Sequence, residues 1–256
     1  MQNVRRKDMK HLLYAVGVVV LLTLIVWQWK ENSSTKVENV AVTGPQPAEK
    51  VAYVTFDDGP SEITPDILDT LKKYDAKATF FLIGEEITKE REEIVKREIK
   101  EGHSVGVHTY CHKKDEMYCN KEYFWNDFVK CKARIEEVIG KPVSLHRFPW
   151  GSNNGYVCPI VDDLMEELQK QKITSYDWNV SGEDSVAVGV PMASIYQNVK
   201  KDLEKYDNPI ILLHDSNAMK NTAAVLPEIL QLIREKGYRF DTLASREGYI
   251  FPKSWR

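Results

Sequence analysis

The chain has 256 residues, with 35 lysines and arginines against 38 aspartates and glutamates, for a formal net charge of −3. That balance leaves no basic footprint for a nucleic acid. With 43% apolar and 29% charged residues, the composition is globular rather than disordered or fibrous.

The amino terminus differs from the rest. Arg5, Arg6, Lys7 and Lys10 precede an apolar run from Leu12 to Trp29, interrupted only by Thr23 and Gln28. The run is near the lower limit of the roughly 17–25 residues that span a bilayer, and Trp27 and Trp29 stand where an interfacial aromatic belt would fall. A cleaved signal peptide has a shorter apolar region and a small-residue cleavage site, which Trp27-Gln28-Trp29-Lys30 does not supply. The expectation is an uncleaved single-pass transmembrane signal-anchor over 11–30. The basic segment 1–10 then stays cytoplasmic by the positive-inside rule, and everything after the anchor is extracytoplasmic. Residues 31–49, with Ser33, Ser34, Thr35, Gly44, Pro45 and Pro47 and no periodicity, read as a linker. A folded domain is expected over 50–256. Its cysteines are Cys111, Cys119, Cys131 and Cys158. None forms a C-x-x-C pair, so a cysteine zinc site is not indicated, and their pairing stays open.

From Lys50 onward, short β-prone runs alternate with helical ones. Val51 to Phe56 reads as a strand. Thr64 to Tyr74 reads as a helix capped by Thr64, with Pro65 at its first position. Ala78 to Ile83 is a buried strand, and Glu85 to Glu101 is a charged helix with Ile87, Ile94, Val95 and Ile99 on its apolar face. Ser104 to Val107 is a strand, Phe124 to Ile139 a helix, Leu145 to Arg147 a short strand and Val161 to Gln171 a helix. Ile173 to Val180, Met192 to Leu203, Pro209 to Leu213, Thr222 to Lys236 and Arg239 to Leu243 continue the alternation. Repeated strand-helix units imply a parallel sheet covered by helices. No glycine-rich phosphate loop follows the first strand. About 206 residues is short for a full eight-unit barrel of about 250, so the α/β fold expected is a distorted or incomplete (β/α) barrel.

The chemistry-bearing residues fall at strand ends. Asp57 and Asp58 close the first strand, His108 the third, Arg147 the fourth, and His214 with Asp215 the run from Pro209. In a parallel α/β layout these carboxyl ends share one face, the usual place for an active site. Asp57-Asp58-Gly59-Pro60 is also a turn signature, but a turn needs only one carboxylate, and a cation would explain the second. His108 and His112, at i and i+4, would share one side of a helical turn. Two histidines and a carboxylate with an open position form a catalytic zinc set.

Thr55-Phe56-Asp57-Asp58-Gly59-Pro60 resembles the first motif of the polysaccharide deacetylases, the NodB-homology family or carbohydrate esterase family 4. His108-Thr109-Tyr110-Cys111-His112 is similar to the second motif, Arg147-Phe148-Pro149-Trp150 to the third and Leu212-Leu213-His214 to the fifth, all in family order. The resemblance implies a distorted (β/α) barrel and a divalent metal, usually Zn2+, held by Asp58, His108 and His112. It implies Asp57 as general base, His214 as general acid and Arg147 as the residue that orients Asp57 and keeps it ionised. It also implies an oxyanion contact from the backbone N–H of Trp150. Opposite charge at Arg147 is expected to lower the Asp57 pKa.

The fourth motif departs from the pattern. Asp184 fits its aspartate and would orient His214, with Asp177 as the competing assignment, but Ser185 replaces its tryptophan. The resemblance implies removal of N-acetyl groups from an extracellular glycan, with peptidoglycan favoured because the anchor confines the domain beside the wall. The alternatives are an O-deacetylase of another polysaccharide and a non-catalytic wall-binding module.

Overall fold

The computed structural model describes residues 49–255; the expected basic segment and anchor, and nearly all of the linker, lie outside them. Among the described residues no helix is long and apolar enough to cross a membrane.

Eight strands form one sheet in which every pairing is parallel. Strand β1 (Val51–Gly59) lies at its centre, between β2 (Ala78–Ile83) and β7 (Ile210–His214). From β2 the order continues through β3 (Ser104–Thr109) and β4 (Leu145–His146) to β5 (Thr174–Ser175). Beyond β7 lies β6 (Val180–Ser181), and β8 (Arg239–Phe240) pairs with the start of β1. The central strands are buried on both faces, as their continuous apolar runs require. Phe56 of β1 stacks on Phe80 of β2 with ring centroids 5.2 Å apart, and each fully buried ring of this kind contributes about 1.5–3 kcal/mol.

Helices α1 (Thr64–Lys73), α2 (Glu92–Lys100), α3 (Lys114–Met117), α4 (Lys121–Ile139), α5 (Val161–Lys170), α6 (Met192–Leu203) and α7 (Lys220–Glu235) fill the crossovers. Their buried faces, such as Ile67, Leu68 and Leu71 on α1 and Leu164 and Leu168 on α5, join the main apolar core.

The alternation inferred from sequence is therefore present, with local corrections. The single helix expected over Glu85–Glu101 is a 3-10 turn (Gly84–Glu86) followed by α2. The Ile87 carbonyl, which a continuous helix would need for Arg91, instead accepts two bonds from the Arg134 guanidinium at 2.8 and 3.1 Å. Helix α4 begins earlier than expected because the Asn120 side chain caps it, accepting from Tyr123 N at 3.1 Å. Thr64 opens α1 without capping it; its hydroxyl accepts from Ser61 N and donates to Asp215.

The run Ile173–Val180 is two short strands at opposite ends of the strand order. Between them Asp177 N donates to Tyr249 O and Asn179 N to Ile210 O. The backbone thus passes from β5 to β6 without a ladder among the described residues, and the sheet is a curled half-barrel rather than a closed one.

Candidate active site

The carboxyl ends of β1, β3 and β7, with the loops after β4 and β6, surround a cavity of about 450 Å³ lined by Asp57, Asp58, His108, His112, Trp150, Trp178, Ser185, Leu212 and His214. β1 supplies two adjacent carboxylates with different surroundings. Asp57 is 3% exposed and accepts from Arg147 Nη1 at 2.9 Å. Asp58 adopts φ 75°, a left-handed conformation uncommon outside glycine. Its Oδ1 is buried without a hydrogen-bond partner. It lies 3.5 Å from His108 Nε2 and 3.4 Å from His112 Nε2.

His108 and His112 do not share a helical turn. His108 stands on β3, and His112 follows in a turn with φ 52°. Asp127 of α4 organises that turn, accepting from Thr109 Oγ1 at 2.7 Å, Tyr110 N at 2.8 Å and Cys111 N at 3.1 Å. Nothing local to the histidine motif marks Asp127. Its only sequence signal is a carboxylate next to buried Phe128, three residues after buried Phe124, on an amphipathic helix.

The Arg147 carbonyl, an acceptor only, lies 2.9 Å from His108 Nδ1. The Nδ1–H therefore donates to it, and the Nε2 lone pair faces Asp58. Burial pushes the His108 pKa down to about 3, against the raising effect of Asp58, so the ring is neutral. One unpartnered buried carboxylate oxygen and two imidazole nitrogens, all within 4.8 Å of one another, fit a divalent cation in donor type and number.

Arg147 is fully buried. Its guanidinium also donates to Thr55 Oγ1 at 2.7 Å, Tyr176 O at 2.9 Å and Asp177 O at 3.3 Å. It lies over the Phe81 ring at 4.3 Å from the centroid. Arg147 lowers the Asp57 pKa as expected, but not enough to set the net direction. Burial raises it, Arg147 and then His214 lower it, and the net direction is upward, because desolvating the carboxylate outweighs its cation.

Across the cavity, His214 Nδ1 is 2.8 Å from Asp184 Oδ1, and His214 N donates to Asp184 Oδ2 at 2.8 Å. Thr222 Oγ1 holds the same carboxylate at 2.8 Å. Burial would lower the His214 pKa, but the Asp184 hydrogen bond and charge, joined by Asp58 and Asp57, raise it to about 9. Asp177, the competing assignment, accepts instead from Ser152 N and Oγ and from Phe251 N, securing the loop after Trp150. Ser185 Oγ lies 3.2 Å from His214 Nε2, so a hydroxyl meets the imidazole at the point where the fourth motif departs.

Trp150 has φ 60°, is 45% exposed and packs against His112 with ring centroids 4.7 Å apart. Trp178 lies edge-on to Phe251 on another wall. The four cysteines are free thiols.

A family profile described as polysaccharide deacetylase matches residues 44–167. A peptidoglycan-N-acetylglucosamine deacetylase of Bacillus cereus is 39% identical over 207 residues, covering 79% of this chain and 72% of the relative. The catalytic domain of a peptidoglycan N-acetylglucosamine deacetylase from Eubacterium rectale superposes with TM-score 0.73 at 29% identity, over 80% of this chain and 94% of that domain. A Bacillus anthracis protein described as a carbohydrate esterase family 4 pseudoenzyme superposes with TM-score 0.62 at 25% identity, over 78% of this chain and 66% of its own.

Proposed function

Because the chain belongs to the polysaccharide deacetylase family, we propose that it hydrolyses N-acetyl groups from an extracellular polysaccharide, specifically the amino sugars of peptidoglycan. The relatives named for that activity support the substrate. One neighbour is a pseudoenzyme, so the fold alone does not carry the activity. The observation that carries it is a base, an acid and a ligand cluster arranged around one cavity, with Asp58 Oδ1 left unpartnered between two imidazoles.

Asp58, His108 and His112 would hold the metal. When bound by these residues, a divalent cation, for which the donor set suits Zn2+, would supply Lewis-acid polarisation of the acetyl carbonyl and would lower the pKa of water.

Asp57, oriented by Arg147, takes the proton of the attacking water as its oxygen bonds the acetyl carbon. The raised Asp57 pKa suits this task, since a base is most effective when its pKa approaches the working pH. The oxyanion that develops faces the Trp150 backbone N–H; one such donor is worth about 3–4 kcal/mol. His214, kept protonated by Asp184, gives its proton to the amide nitrogen as the C–N bond breaks. The products are acetate and a free amine on the sugar.

The anchor belongs to the same proposal: residues 11–30 hold the domain at the membrane on the side of the wall. The test is acetate release from chito-oligosaccharides and from purified peptidoglycan. Release that stops on adding a chelator and returns with Zn2+ is expected. No release from either glycan by protein with metal bound would replace this reading with a wall-binding module.

A further inference from the structure

The turn that carries Asp57 and Asp58 is gripped from behind by a carboxylate that the proposed chemistry does not use. Asp215, just beyond β7, is fully buried and lies outside the ligand cluster. Its Oδ1 accepts from Ser61 Oγ at 2.9 Å and its Oδ2 from Thr64 Oγ1 at 2.7 Å. Both hydroxyls in turn accept backbone N–H groups, from Ile63 at 3.1 Å and from Ser61 at 2.7 Å. Asp215 N donates to Asp57 O at 2.7 Å. The contact leaves no slack: a Cβ at Gly59 would stand 2.5 Å from Asp215 Oδ2.

A buried carboxylate is costly unless its bonds are made, and a plain turn would need only the two hydroxyls. What this turn must hold is Asp58 at φ 75°, a conformation that persists only where the surroundings impose it. The grip also comes from the strand that carries His214, so the base and ligand turn is tied to the acid.

We propose that Asp215 is a positioning residue. By holding Ser61 and Thr64 it keeps Asp58 turned toward His108 and His112, and it fixes Asp57 relative to His214. The proposal rests on reading Asp58, His108 and His112 as the metal ligands. Groups that orient ligands typically change metal affinity by about 10–100-fold when removed.

The experiment measures Zn2+ affinity of the full chain by competition with a chromophoric chelator, with circular dichroism to verify the fold. It also measures kcat and KM at saturating Zn2+. Asp215→Ala should bind Zn2+ at least about tenfold more weakly and lose at least about tenfold in kcat, with KM changed less than about twofold. Asp215→Asn keeps one hydroxyl contact and should restore most of the affinity.

Wild-type Zn2+ affinity in a folded Asp215→Ala protein overturns the proposal, as do equal losses in both variants. Should Asp215→Ala not fold, Ser61→Ala decides. It removes one of the two donors and should weaken Zn2+ by roughly threefold, and an unchanged affinity overturns the proposal. Absence of acetate release by the wild type, with these Zn2+ effects present, would sink the deacetylase reading and leave the positioning role standing.

Discussion

Asp57 and Asp58 are chemically identical neighbours, and their surroundings divide their tasks. Asp57 faces a buried guanidinium, whereas Asp58 faces two imidazole nitrogens with one oxygen unsatisfied. Their presence was legible in the sequence because two carboxylates before Gly-Pro exceed what a turn needs. The balance of forces on Asp57 was not legible. Charge pairing can be read from residue types, but desolvation depends on how completely the sheet covers the site. Arg147 shows the same limit: one residue in the motif, yet its acceptors lie on two segments remote from it in sequence, β1 and the stretch after β5. At His214 the geometry gives a direct test. Asp184→Asn removes the charge that holds the imidazole pKa up. The alkaline limb of the kcat profile should therefore move to lower pH, and kcat should fall by roughly 10–100-fold, less than the roughly 10²–10⁴-fold that the general acid itself contributes. An unshifted alkaline limb in pH-rate measurements would contradict the Asp184–His214 assignment.

Among the elements, β3 and the turn after it show why spacing alone can mislead. An i, i+4 histidine pair suits a helix, yet here a strand end and a left-handed residue bring the rings together, with centroids 5.4 Å apart. Asp127, nearly a whole element away in sequence, makes that possible. Packing behind the sheet is equally specific. A Cβ at Gly106 would lie 2.7 Å from the Phe81 ring and 3.0 Å from Leu145 Cβ, so this glycine lets Phe81 settle beneath Arg147.

Another buried histidine at the start of β3 carries a pH prediction. His103 Nδ1 accepts from Ala78 N at 3.2 Å. Burial, then Lys77, lowers its pKa to about 4 from an ordinary 6.5. The unfolded chain therefore takes up this proton first, and the contribution to stability is lost as pH falls from 6.5 toward 4. At pH 5 the loss should be about 2 kcal/mol. Denaturant melts of wild type and His103→Gln at pH 7 and 5 should show the variant losing that much less. Equal losses would contradict the account.

For the whole molecule, the parallel alternation and the convergence of strand ends were readable because each strand-helix unit carries its own hydrophobic period. That the barrel would be incomplete was readable from length; where the sheet stays open was not. It depends on the passage through Asp177 and Asn179, whose partners Tyr249 and Ile210 are remote in sequence. The proposed anchor is tested on the full chain in cells: the protein should sediment with membranes, and protease added from the outer side should remove the folded domain. Recovery in the soluble fraction would contradict it.

The central claim, that this cavity is a deacetylase centre with Asp57 as base, meets its most direct test in acetate released from purified peptidoglycan by wild type and Asp57→Asn, with bound Zn2+ measured in the same samples. The account predicts release by the wild type, a loss of at least about 100-fold in the variant, and equal Zn2+ in both. Wild-type release by a Zn2+-loaded Asp57→Asn protein would contradict it.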